Sequence, residues 1–280
     1  MQYKLKGHSI GNHLPLTVIT GPCVIESEAI VMRCAQEIKH IADSTGVNMI
    51  FKASLDKANR TSDTAFRGLG LQAALALLER VRVEFGLPII TDVHDCEMVQ
   101  PVAQIVDFLQ IPAFLCRQTD LIRTAAATGL PVNIKKGQFL APGDMQHVLQ
   151  KALNTGNRNI LLCERGTSFG YHNLVVDFRG LEIMKSMGYP VVFDATHSVQ
   201  LPGAGNGQSG GQRQFVHMLA RAALTVGIAA IFAETHPNPA EALSDGPNAI
   251  PLALLADCVQ QWVEIDCLAK KQRFIELPIG

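Results

Sequence analysis

Short apolar runs rich in β-branched residues recur along the whole chain, and they constrain the fold before any motif is considered. They are Leu16–Ile19, Met49–Phe51, Pro88–Ile90, Asp107–Leu109, Val132–Ile134, Ile160–Leu162, Val191–Phe193 and Ala229–Phe232, eight in all. Most show no alternation of apolar and polar residues, which fits strands covered on both faces in a parallel sheet. Stretches with helical spacing lie between them, such as Leu71, Leu75, Leu78 and Val81, or Val216, Leu219, Ala220 and Ala223. Glycine and proline mark the returns, as in Gly86-Leu87-Pro88, Gly129-Leu130-Pro131 and Gly188-Tyr189-Pro190. Eight strand-then-helix repeats in about 250 residues match the size and count of a single (β/α)8 barrel, and no linker or compositional shift divides it. The reading is an α/β protein with one TIM-type barrel domain over residues 16–280. A short N-terminal cap segment, residues 1–15, is expected over the bottom of that barrel.

Composition narrows the function classes. The 280 residues are 48% hydrophobic, with 24 Lys+Arg against 25 Asp+Glu and a net charge of −1, so disorder and polybasic tails are excluded. Only 6% of residues are aromatic, and no basic cluster is interleaved with them, so no nucleic-acid partner is expected. No segment stays apolar for the roughly 18 residues needed to cross a bilayer, and Met1 to Pro15 lacks the apolar core of a signal peptide. The expectation is a cytoplasmic protein without a membrane partner. Seven cysteines form no CxxC pair and are an odd number, which points away from disulfides and from a zinc ribbon.

In a barrel of this kind, chemistry sits at the C-terminal ends of the strands. Every apolar run here leads into polar residues: Gly21-Pro22-Cys23 with Glu26, Lys52 with Asp56 to Arg60, Thr91-Asp92-Val93-His94, and Gln110. The later runs lead into Lys135-Lys136, Glu164-Arg165, Asp194-Ala195-Thr196-His197, and Glu234-Thr235-His236 with Asp245 beyond. Lysine and arginine at a barrel mouth are costly to desolvate without a negative partner. Lys52, Lys57, Lys135, Arg165 and Arg60 therefore predict a ligand with more than one anionic group, such as phosphate plus carboxylate. The alternative is internal salt bridging with Asp56, Asp92 and Glu164. Closure of a barrel sets strand eight against strand one, so Cys23, His197, Glu234 and Asp245 come from neighbouring strand ends. Thiolate, imidazole and two carboxylates suit a borderline divalent ion, Fe2+, Zn2+ or Mn2+. A hydrogen-bonded histidine is the plain alternative for His197.

Two local patterns carry less. Gly166-Thr167-Ser168-Phe169-Gly170 matches the GxSxG nucleophile elbow, but no amphipathic helix starts directly after the serine. Gly205 to Gly210 matches GxGxxG, yet it lies well beyond the end of strand seven. Leu201 to Gly211, with five glycines, reads as a lid.

The strand-end motifs GPCVIES, FKASLDKANRT, TDVHD, IPAFLCRQTDL, NIKKGQFLAPGDM, CERGTSFGYHNLVVDFR, FDATHSVQ and AETHPNPAEALSDGP closely resemble those of the 3-deoxy-D-manno-octulosonate 8-phosphate synthase family. They occur in order on all eight strands. The resemblance implies condensation of phosphoenolpyruvate with D-arabinose 5-phosphate for lipopolysaccharide biosynthesis. It implies that Lys52, Lys57, Lys135 and Arg165 hold phosphoenolpyruvate, with Gln110, Ala113 and Phe114 shaping the pocket floor and Asp92 among the substrate contacts. Asn59 and Arg60 would meet the pentose phosphate, the arginine reaching in from a neighbouring subunit of a homotetramer. Here the motif ends in Thr61, which adds a methyl group to the family's serine.

The family has a metal-dependent class with cysteine and a class with asparagine in its place. Cys23, His197, Glu234 and Asp245 resemble the metal-dependent class. The catalytic set implied is His197, Lys52, Lys135 and Asp245, with His197 also a candidate proton shuttle. Synthases that use erythrose 4-phosphate or N-acetylmannosamine share the phosphoenolpyruvate chemistry, but the KANR and SDGP segments fit them less well. A non-catalytic phosphosugar-binding barrel is the alternative from another functional class.

Overall fold

The computed structural model describes residues 3–5, 8–59, 62–205, 208–272 and 275. Eight parallel strands form its wall: Thr17–Gly21 (β1), Asn48–Lys52 (β2), Ile89–Asp92 (β3), Phe108–Ile111 (β4), Val132–Lys135 (β5), Ile160–Glu164 (β6), Val191–Asp194 (β7) and Ala230–His236 (β8). Each is followed by a helix, in order Glu28–Thr45 (α1), Leu71–Phe85 (α2), Cys96–Ala103 (α3), Thr119–Ala127 (α4), Met145–Leu153 (α5), Arg179–Lys185 (α6), Val216–Leu224 (α7) and Leu255–Lys271 (α8). Consecutive strands pair in parallel, and β8 pairs with both β7 and β1, which closes the ring. The (β/α)8 reading is correct.

Apart from Asn48 at the start of β2, every residue of the eight strands is buried. Burial on both faces explains the unbroken apolar runs. Several strands also continue past their apolar run into polar residues. Lys52, Asp92, Gln110, Lys135, Glu164, Asp194 and Glu234 all lie inside their strands, so the hydrogen-bonded ladder fixes the backbone of these polar groups. The helices begin and end on local signals. Ser27 accepts from the Ile30 N–H to start α1, and Gly46, at φ 68°, ends it in the left-handed conformation.

The chain ahead of β1 is tied to the bottom of the barrel. Tyr3–Leu5 and His8–Ile10 form an antiparallel hairpin, and the Asn12 side chain donates to Tyr189 O and accepts from Val191 N at the foot of β7. Leu16 N–H donates to the buried Asp266 carboxylate of α8 at 3.0 Å, and Lys270 spans Asp266 and Leu14 O at 2.6 Å each.

Both discounted motifs lie in hairpins. Ser168 belongs to the short ribbon Thr167–Ser168 with Leu174–Val175, not to an elbow between strand and helix. The segment expected as a glycine-rich lid contains the antiparallel strands Gln200–Gly205 and Gln208–Gly211; residues 206 and 207 lie outside the described residues. Glycine does not prevent a two-stranded ribbon whose backbone groups pair with each other. Among the described residues, no helix is long and apolar enough to cross a membrane.

Asp266→Ala should destabilise the fold by about 2–3 kcal/mol in urea unfolding, because it strands the Leu16 N–H and leaves Lys270 without its carboxylate.

Candidate functional site

A cavity of about 790 Å³ opens over the C-terminal ends of the strands, and its lining includes Lys52, Lys57, Asp92, Lys135, Arg165 and Asp245. That volume suits a small ligand or two held together. Gln110, Ala113, Phe114 and Asn59 also line it, whereas Arg60 and Thr61 lie outside the described residues.

The cations of this mouth are not all spent in the way the sequence suggests. Lys52, fully buried, uses its three N–H groups on Cys23 O at 3.0 Å, Ser54 Oγ at 3.0 Å and Glu234 Oε1 at 2.9 Å. Lys135 pairs with Asp194 Oδ2 at 2.6 Å and sits 3.7 Å above the Phe232 ring. The internal partners weighed from sequence are engaged elsewhere: Asp56 with Arg67, Asp92 with His94 and Ser54, Glu164 with Lys136. Barrel closure, not nearness in sequence, brings Glu234 to Lys52. Lys57 has no carboxylate within 4.0 Å among the described residues. Burial opposes its charge, but Cys23, Glu234, Asp92 and Asp245 outweigh that and raise its pKa.

Arg165 stands apart. It is 4% exposed, donates Nη2 to Gln200 Oε1 at 3.0 Å, and has Nε and Nη1 buried without a hydrogen-bond partner among the described residues. Burial lowers its pKa. Two unmet donors on a buried guanidinium cost free energy until an anion meets them.

Asp194 organises the histidine. It accepts from the His197 backbone N–H at 2.9 Å and lies 2.8 Å from His197 Nδ1. Burial would raise the Asp194 pKa, yet His197 and Lys135 hold the carboxyl well below the usual range. A carboxylate at Nδ1 fixes the ring's orientation and turns Nε2 toward the other carboxylates. That atom lies 3.9 Å from both Glu234 Oε1 and Asp245 Oδ2.

Cys23, Glu234 and Asp245 each bring one ligand atom into a group whose members are all within 4.8 Å of one another. The four-residue cluster expected from sequence is thus realised as three close ligand atoms with His197 beside them, drawn back by its bond to Asp194. The set fits a divalent ion on two observations. Glu234 Oε2 is buried with no hydrogen-bond partner among the described residues, and the donors combine sulfur with carboxylate oxygen. Cys23 Sγ has Ser244 Oγ at 3.1 Å and Asp245 Oδ2 at 3.3 Å. Burial pushes the Cys23 thiol pKa up, and Glu234 adds to it, so a bound cation is what would favour the thiolate. For Glu234, burial raises the pKa but Lys52 and His197 outweigh it and keep the carboxylate charged.

Backbone geometry supports the placement. A side chain at Gly21, φ 153°, would put its Cβ 2.1 Å from Lys52 O, so only glycine lets β1 approach β2 just before Cys23. Asp245 is one of two non-glycine residues with positive φ among the described residues, at 48°. Aspartate tolerates that region better than most residues, and the turn aims its carboxylate back at Cys23.

Sequence reading passed over Ser54, Ser244, Gln138 and Gln200, all of which line the cavity. Ser54 had a signal in its position two residues after Lys52. Gln200 lay at the edge of a segment read only for its glycines.

A family model described as the DAHP synthetase I family matches residues 2–271. The chain is similar to the 2-dehydro-3-deoxyphosphooctonate aldolase of Magnetococcus marinus, with 58% identity over 266 residues, 95% of this chain and 93% of the relative. Proteins of the same name from Xylella fastidiosa strain M12 and Acidithiobacillus ferrooxidans are 57% and 55% identical over 273 residues, 98% of this chain and 99% and 97% of theirs.

Cys23→Ser should weaken divalent-metal binding about ten-fold or more, since a hydroxyl is a poor substitute for thiolate on a borderline ion. Equilibrium dialysis with elemental analysis measures this, and an unchanged far-UV spectrum separates it from unfolding.

Proposed function

Because the chain belongs to the DAHP synthetase I family, we propose that it condenses phosphoenolpyruvate with D-arabinose 5-phosphate. The products are 3-deoxy-D-manno-octulosonate 8-phosphate and inorganic phosphate, and the step serves lipopolysaccharide biosynthesis. Its relatives' name, 2-dehydro-3-deoxyphosphooctonate aldolase, describes the same eight-carbon acid and favours the pentose over erythrose 4-phosphate. The observation that carries the reading is the buried Arg165 with two unpartnered guanidinium nitrogens in a cavity it shares with Lys57 and Lys135.

Phosphoenolpyruvate lies against Arg165, Lys57 and Lys135, with Gln110, Ala113 and Phe114 beneath it. The pentose phosphate is met by Asn59 and Arg60, and Asp92 is available to its hydroxyls. Separate cationic groups hold two anions face to face and reduce the entropy lost in bringing C3 of phosphoenolpyruvate to the C1 aldehyde. As the C–C bond forms, the aldehyde oxygen gains a proton and C2 becomes electron-poor. Water adds to C2, and the tetrahedral adduct expels phosphate to leave the keto acid. His197 holds its Nδ1 proton on Asp194 and can exchange one at Nε2. The Lys52 ammonium, locked on Glu234, keeps positive potential beneath the reacting atoms.

Cys23, Glu234 and Asp245, with His197 Nε2 adjacent, would hold a divalent ion, Fe2+, Zn2+ or Mn2+. When bound, it supplies Lewis acidity toward the aldehyde or the water. We place the reaction in the cytoplasm, a reading supported by seven free cysteines. A homotetramer is our reading of the assembly, and the exposed apolar side chains of Phe139 and Phe169 leave surface for a neighbouring subunit to cover.

The test is phosphate release from phosphoenolpyruvate. It should require D-arabinose 5-phosphate and run about 100-fold slower or worse with erythrose 4-phosphate, because the shorter sugar leaves the phosphate contacts unmet. Equal rates would assign the heptulosonate reaction instead, and no turnover would assign a binding protein. Exhaustive chelation should abolish turnover and divalent metal should restore it. Arg60→Ala should raise KM for the pentose phosphate about ten-fold while KM for phosphoenolpyruvate changes little, through loss of one charge-assisted contact.

A further inference from the structure

Gln200 joins the two halves of this site. It opens the strand Gln200–Gly205, directly after the short 3-10 turn His197–Val199, so it hangs from the same turn as His197. Its Oε1 accepts from Arg165 Nη2 at 3.0 Å and its Nε2 donates to Asp245 Oδ1 at 2.9 Å. The two neighbours dictate the amide's orientation, since a guanidinium only donates and a carboxylate only accepts.

A neutral amide in this place does what no charged side chain could. It gives the guanidinium one acceptor without neutralising it, so Nε and Nη1 keep their need for an anion. It also occupies Oδ1 of Asp245, which leaves Oδ2 on the side of Cys23, at 3.3 Å, and of His197 Nε2, at 3.9 Å. One amide is thus bonded both to the guanidinium that lacks an anion and to the carboxylate that completes the three-residue ligand group.

We propose that Gln200 is a positioning residue that couples occupancy of the anion site at Arg165 to metal retention at Cys23, Glu234 and Asp245. The inference rests on the reading of those three residues as metal ligands and of Arg165 as the holder of phosphoenolpyruvate. By linkage the effect runs both ways: the anion tightens the metal, and the metal tightens the anion by the same factor.

The test uses the full-length metal-loaded protein, with Gln200→Met, which keeps length and shape but removes both hydrogen bonds. Gln200→Glu is the second variant, keeping an acceptor for Arg165 and setting a carboxylate against Asp245. Retained metal is followed by competition with a chromophoric chelator, with and without phosphoenolpyruvate, alongside KM and kcat. In the wild type, phosphoenolpyruvate should tighten retention about five-fold or more, within the ordinary range of coupling between sites. In Gln200→Met the ratio should fall below about two-fold, with KM for phosphoenolpyruvate raised and KM for the pentose phosphate unmoved. Gln200→Glu should raise KM for phosphoenolpyruvate about ten-fold, because the new carboxylate takes the guanidinium. A wild-type ratio in Gln200→Met, or a wild-type KM for phosphoenolpyruvate in Gln200→Glu, overturns the inference and leaves the proposed reaction standing. A wild type that turns over both substrates with no bound metal overturns the metal reading and this inference together.

Discussion

The pairing of β8 with β1 is the contact on which the rest of the site depends. Its register sets Glu234 opposite Gly21, so a carboxylate at the end of one strand meets the loop that begins at the end of the other. Cys23 lies two residues past that point, and Lys52 crosses from β2 to bond both Cys23 O and Glu234. An open sheet of the same eight strands would leave β1 and β8 at opposite edges and these groups apart. Closure therefore serves stability and chemistry through the same hydrogen bonds.

Charge inside the barrel mouth is almost balanced, and the balance is uneven in a useful way. Desolvating a carboxylate or an ammonium costs several kcal/mol even after relaxation, so Glu234 and Asp194 are kept charged by the cations around them, Lys52 and His197 first for Glu234 and His197 and Lys135 first for Asp194. Lys52 spends all three of its N–H groups inside the framework, whereas Lys135 pairs with Asp194 and still faces the cavity. Arg165 spends one donor on a neutral amide and keeps two. The pocket thus separates groups that hold the framework from a group that waits for an anion, although sequence alone assigns them the same role.

The fold was legible because both-face burial leaves an unmistakable pattern in runs such as Ile160–Leu162 and Val191–Phe193, and polar strand ends were legible because they interrupt it. The pairing inside the site was not. Lys52 and Glu234 lie 182 residues apart, and their meeting follows from ring closure and register rather than from any local spacing. Gln200 escaped notice for a different reason: an amide has no charge to flag it, and its importance lies in having a cation on one side and an anion on the other. Arg60, central to the family resemblance, lies outside the described residues.

Cys23 shows how a buried side chain can serve two networks. With its pKa raised by burial, the thiol holds a proton that Ser244 Oγ or Asp245 Oδ2 can accept, at 3.1 and 3.3 Å. Loss of that proton creates a soft anion beside two carboxylate oxygens, an arrangement that only a cation can stabilise in so dry a place. An asparagine at this position, as in the other class of the resembling family, could donate to the same oxygens but could never become that anion. Of the two side chains, only the thiol, once deprotonated, would join Glu234 and Asp245 as an anionic ligand to a divalent ion.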